Sequence, residues 1–205
     1  MRTFLIAAAL LAAAQTLSAQ TETKTEAVAQ DSARKSLVQP GLGTLKQDEF
    51  TVGLRSGALL VKVTPLNERV IRLAAPDTYN RLHALADSRR AAALQRTGTK
   101  EPELFLVSFF SYQPDVTFQP EDLRLEYNGA QLQAVSIVPL TPSWGKQRMD
   151  QQETQAAIYV FSGALDYELP LVVRYGNDRN NDWQRIIPKL ETERSKVLSK
   201  TPKTD

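Results

Sequence analysis

The chain has 205 residues, 42% of them hydrophobic, with 11 Pro and 9 Gly, which suits one ordinary domain with tails or two small ones. Its 25 Lys and Arg face 23 Asp and Glu, a balance that predicts neither a nucleic-acid footprint nor a polybasic membrane patch. One His and no Cys exclude disulfides and the His/Cys clusters that zinc, copper or iron need.

Arg2, the apolar run Phe4 to Ala14 and the small residues ending at Ala19 have the form of a secretory signal peptide over residues 1–19. The run is shorter than the ~20 apolar residues that cross a bilayer. Cleavage near Ala19, a periplasmic or secreted location and a mature chain without a transmembrane segment are therefore expected. Residues 20–47 are rich in Thr, Gln, Ala, Ser and Lys and have little to bury, so they are expected to form a flexible leader ending near Pro40-Gly41-Leu42-Gly43.

A β-domain is predicted over residues 48–190. Phe50, Val52 and Leu54 line a first strand, Leu59, Val61 and Val63 a second, and Val70, Ile71 and Leu73 a third. Pro76-Asp77 then opens a helix that runs to Arg96. Its stripe of Tyr79, Leu82, Leu85, Ala86 and Ala93 is narrow, which places it over a sheet edge or end.

The stretch from Glu103 to Pro139 organises the rest. In its first run Phe105, Val107 and Phe109 face one way and Leu104, Leu106 and Phe110 the other, as in a central strand buried between two layers. Leu123, Leu125 and Tyr127 then alternate with Arg124 and Glu126, and Asn128-Gly129 supplies the two residues that a type I′ hairpin turn requires. Leu132 to Val138 is expected to pair back antiparallel. Pro139 to Thr154 is a long polar connection, and loops of that length inside a compact domain are often functional. Further strands are predicted at Gln155–Ser162 and Leu169–Tyr175, a turn at Asn177–Asp182 and a short last strand at Arg185–Ile187. From Lys189 the chain turns charged, with a helical start to Leu198, and residues 191–205 are read as a C-terminal tail. Eight or nine short strands with regular turns predict a mainly β fold, an antiparallel sandwich ahead of a barrel.

From Glu103 to Tyr175 the order is an apolar strand (FLVSFF), Asp122-Leu123-Arg124-Leu125 leading to Asn-Gly, a polar loop, then Ile158-Tyr159-Val160-Phe161 and LPLVVRY. This resembles the uncharacterised immunoglobulin-like domains of exported bacterial proteins. The resemblance covers about a third of the chain, implies an immunoglobulin-like β-sandwich with an extracytoplasmic binding or assembly role, and brings no catalytic residues. The helix near residues 76–96 has no counterpart in it.

Candidate chemistry is sparse. His83 is flanked by Leu82 and Ala84 in the helix and lacks a Gly-x-Ser-x-Gly nucleophile, so helix packing is its default role. Asp178, Asn180 and Asp182 have the alternating oxygens of a calcium loop, but Trp183 stands where Gly is needed and Lys189 where the bidentate Glu belongs. Asn and Asp also favour turns for local reasons. Glu121-Asp122, with Glu153, could serve a glycosidase only if folded across one cleft. In the long loop Trp144, Gln147, Arg148 and Gln151 are candidates for partner contact, while Trp144 could equally fold back to close the sandwich end. The expected function is a non-enzymatic binding or assembly module of the cell envelope, with an envelope protein or surface ligand as partner and no required cofactor. The alternative is a carbohydrate- or cell-wall-acting hydrolase that uses acidic residues.

Overall fold

The computed structural model describes residues 37–97 and 102–200, and strands form wherever apolar alternation is strict. In order they are β1 (Val52–Ser56), β2 (Leu59–Pro65), β3 (Glu103–Ser111), β4 (Val116–Thr117), β5 (Leu123–Tyr127), β6 (Ala130–Gln133), β7 (Ser136–Pro139), β8 (Arg148–Met149), β9 (Thr154–Phe161), β10 (Leu171–Tyr175) and β11 (Asp178–Asn180). One sheet runs β1-β2-β3-β9-β7 and a second β11-β10-β5-β6, while β4 pairs with β8. All these pairings are antiparallel, so the mainly β expectation holds.

β3 is the middle strand of the larger sheet, as its two apolar faces required. Phe105, Val107 and Phe109 are buried on one face, and the Phe109 ring lies 5.4 Å from the Tyr175 ring of β10, so the two sheets meet there. On the other face Leu104 and Leu106 pair with Val160 and Ile158 of β9, which are fully buried. Helix α2 (Pro76–Thr97) approaches edge strand β7 and buries Leu82, Ala86 and Ala93, in keeping with its narrow stripe. Asn128 and Gly129 take φ of 50° and 76° between β5 and β6, as a type I′ turn requires. At one side of the sheets Asn180 Nδ2 of β11 donates to the Gly53 carbonyl of β1 at 2.9 Å, joining their edges.

Several expectations change. Val70 and Ile71 lie in a helical turn, α1 (Glu68–Ile71), because Asn67 caps it by accepting from the Arg69 amide at 2.9 Å. The run Leu132–Val138 divides: β6 stays with β5, and β7 crosses to pair with β9 in the other sheet. Arg185–Ile187 is no strand but part of helix α3 (Trp183–Lys200), whose Trp183, Ile186, Leu190, Glu193 and Val197 recur at helical spacing and are buried. The folded chain thus continues through residues 191–200. It also starts before residue 48, because Val38 and Leu45 are buried. Leu45 bridges to Ala74, and the Thr44 amide and hydroxyl both donate to Glu193 Oε1 at 2.8 Å. A Cβ at Gly43 would lie 2.2 Å from the Leu73 carbonyl carbon, so this strap needs glycine to pass. The predicted signal peptide and the first part of the leader fall outside the described residues. Among those described, no helix is long and apolar enough to cross a membrane.

Candidate functional site

The Pro139–Thr154 connection folds into a single structured end of the molecule. Pro142–Lys146 forms a 3₁₀ turn, β8 pairs with β4, and the chain returns to β9. Trp144 anchors it. Its indole packs 5.1 Å from Phe118, 5.8 Å from Phe109 and 6.4 Å from Tyr159 between ring centroids, and the residue is only 6% exposed. Of its two expected roles, partner contact or plug, the tryptophan fills the second.

The same loop lines a cavity of about 310 Å³ with Ser143, Lys146, Arg148, Asp150 and Glu153. Glu153 is its organising group. Its Oε1 accepts from Ser143 Oγ and Gln155 Nε2, each at 2.9 Å, and its Oε2 from the Asp150 amide at 2.8 Å. The Asp150 amide bond, with help from Gln155, Ser143 and the Lys146 charge, outweighs desolvation and holds the carboxyl below its ordinary value. Gln155, fully buried at the start of β9, also donates to the Arg148 carbonyl at 3.0 Å, so one amide fixes both walls.

The rim is polar and charged. Arg148 reaches Asp115 through Nε at 3.1 Å and through Nη2, a forked pair in solvent that bridges to the β3–β4 turn. Lys146 and Asp150 are exposed and make no ion pair among the described residues. Gln151 Nε2 donates to the Tyr112 carbonyl at 3.4 Å, and Gln147 sits in the left-handed region at φ 50°. Beside them Tyr112 is 39% exposed, with the Arg55 guanidinium 4.6 Å from its ring centroid. So Arg148, Gln147 and Gln151 do gather at one end of the fold, and Lys146, Ser143 and Asp115 join them.

Sequence reasoning passed over Ser143, Lys146 and Asp115. Ser143 and Lys146 stand three apart in a 3₁₀ turn, where such positions eclipse. The Thr141-Pro142 start was the available signal.

Three of the four non-glycine residues with positive φ among those described, Asp115, Gln147 and Gln152, flank this cavity; the fourth is Asn128 in its hairpin. No protein-family model, curated protein or solved structure matches this chain.

The other candidates do not converge. Asn180 donates to Asp182 Oδ2 and accepts the Asp182 amide at 2.6 Å, while Asp182 pairs with Arg185. These oxygens are committed to the turn that starts α3, and Asp178 sits exposed in β11, so the calcium expectation is not met by a built cage. No cluster of three or more His, Cys, Asp or Glu among the described residues is placed to hold a metal ion. His83 contacts Glu68 Oε1 at 2.7 Å and stacks on Tyr79, in a structural cluster with Arg72. Glu121 and Asp122 lie in a 3₁₀ turn before β5, and Glu121 lines a different, smaller cavity from Glu153.

Proposed function

We propose that this chain is an exported, non-enzymatic binding or assembly module of the cell envelope, built on an immunoglobulin-like sandwich, and that the loop end around Glu153 is its contact surface. One observation carries the reading: left-handed, non-glycine backbone is concentrated around this one cavity. Each such residue costs roughly 1 kcal/mol or more and persists where its surroundings over-determine it, often at functional sites. Two packed antiparallel sheets with loops gathered at one end support the immunoglobulin-like assignment. The rim offers Lys146, Arg148 and Asp150 in mixed signs, suited to a polar protein or surface ligand.

A hydrolase would use one carboxyl as a proton donor at neutral pH, which needs a raised pKa. Glu153 is held in the opposite direction, with donors on both oxygens.

A photoreactive residue at position 151 should trap one partner in intact cells, and the same residue at exposed position 198 should not. Lys146→Ala with Arg148→Ala should abolish trapping while leaving Tm within about 2 °C of the parent. Equal trapping from both positions, or glycan hydrolysis lost in Asp150→Asn, would overturn the reading.

A further inference from the structure

The smaller sheet carries an arrangement that neither its core nor the loop end uses. Leu123 and Leu125 of β5, and Leu171, Val173 and Tyr175 of β10, point into the core. Arg124 and Arg174 therefore point outward, and the register sets them directly opposite each other. Arg174 is also directly opposite Arg179 of β11, and Arg124 opposite Gln133 of β6. Three arginines thus stand side by side across three neighbouring strands. With strands about 4.8 Å apart, their stems fall within about 10 Å.

Like charges directly opposite one another destabilise a sheet. Little here neutralises them. Glu126 pairs with Arg174 at 3.3 Å, with both side chains 30% exposed. Arg124 Nη1 reaches only the neutral Gln131 Oε1, at 3.4 Å. Arg179 is exposed and makes no side-chain hydrogen bond or ion pair among the described residues. Three cations share one carboxylate.

We infer that this row is an anion-binding site and that its ligand is a soluble molecule bearing a phosphate group. Guanidinium forks match phosphate and carboxylate oxygens in pairs. A carboxylate has two oxygens and is filled by one fork. A phosphate monoester has three oxygens and close to two charges, enough to engage neighbouring forks and balance the excess on the row. A bilayer surface fits less well, because Val172 is the one apolar side chain among the outward positions of β5, β6, β10 and β11.

The test uses the full chain with pyrophosphate and inorganic phosphate as probes, at ionic strength held constant with chloride. Pyrophosphate should raise Tm and bind measurably by calorimetry. Arg124→Gln and Arg179→Gln should each weaken that binding roughly tenfold or more. In chloride alone both variants should melt no lower than the parent, since each removes a repulsion; a merely structural arginine would give a loss. No rise in Tm beyond that in chloride, or a rise kept in the double variant, would overturn the proposal. So would binding to phosphatidylglycerol vesicles without any response to pyrophosphate.

Discussion

At the residue scale, Trp144 and Arg148 are four positions apart and do different work. Trp144 fills an aromatic pocket at the sheet end, so Trp144→Ala should cost about 3–5 kcal/mol and lower Tm by roughly 6 °C or more. Arg148→Ala removes a solvent-exposed ion pair and should cost under about 1 kcal/mol. Thermal melts of both separate plug from rim; equal losses would show that the rim too is structural. The sequence displayed both residues but not their directions, because a loop has no period from which to read which side faces in. Glu153 adds a pH dependence with a definite sign. Its carboxyl is held below the ordinary glutamate value in the folded state, so its contribution is present above that ordinary value and is lost as pH falls through the folded one. Protection of the Asp150 amide, taken relative to its intrinsic exchange rate at each pH, should fall below that point, and in Glu153→Gln it should be low at neutral pH as well.

At the element scale, strands with strict alternation were legible and helices with mixed signals were not. β3 has apolar residues on both faces, and that alone located the centre of the larger sheet. Val107→Asp should therefore abolish folding, since the position is fully buried and offers a carboxylate no partner. A soluble variant with a native circular-dichroism spectrum would contradict the burial. α1 and the first turns of α3 read as strand for a shared reason, while Lys189–Leu198 is helical as expected: Val70-Ile71 and Ile186-Ile187 each set two β-branched residues together, which favours strand locally. Asn67 as a cap in α1, and a buried stripe three to four residues apart in α3, override that preference. The split of Leu132–Val138 was invisible because both halves alternate and only the choice of partner strand separates them.

At the scale of the whole molecule, the chain before the first strand is part of the fold. Residues 20–47 taken together are poor in large apolar side chains, so composition pointed to a leader, but Leu37, Val38, Leu42 and Leu45 all fall in its last part; there Val38 and Leu45 are buried and Thr44 bonds to Glu193. A chain starting at residue 38 should melt as the parent does. One starting at residue 48 loses the buried Val38 and Leu45 and both Thr44 bonds to Glu193, which keeps only Lys196 at 3.6 Å among the described residues, and should cost several kcal/mol, chiefly through lost apolar burial. Limited proteolysis and melting of the two truncations distinguish them; equal stability would return this segment to the leader.

The hydrogen bond from Thr44 to Glu193 joins residues 149 positions apart. Closing so long a loop is entropically slow, and pairings of this kind raise contact order. During synthesis the first packed segment can reach Leu73 and Ala74 early, but its bonds to Glu193 wait until the last helix has emerged, so this closing contact forms only near the chain's end. For a chain proposed to be exported, that delay is an advantage: a polypeptide that cannot complete its fold early remains threadable, and the clasp shuts only once both ends are present.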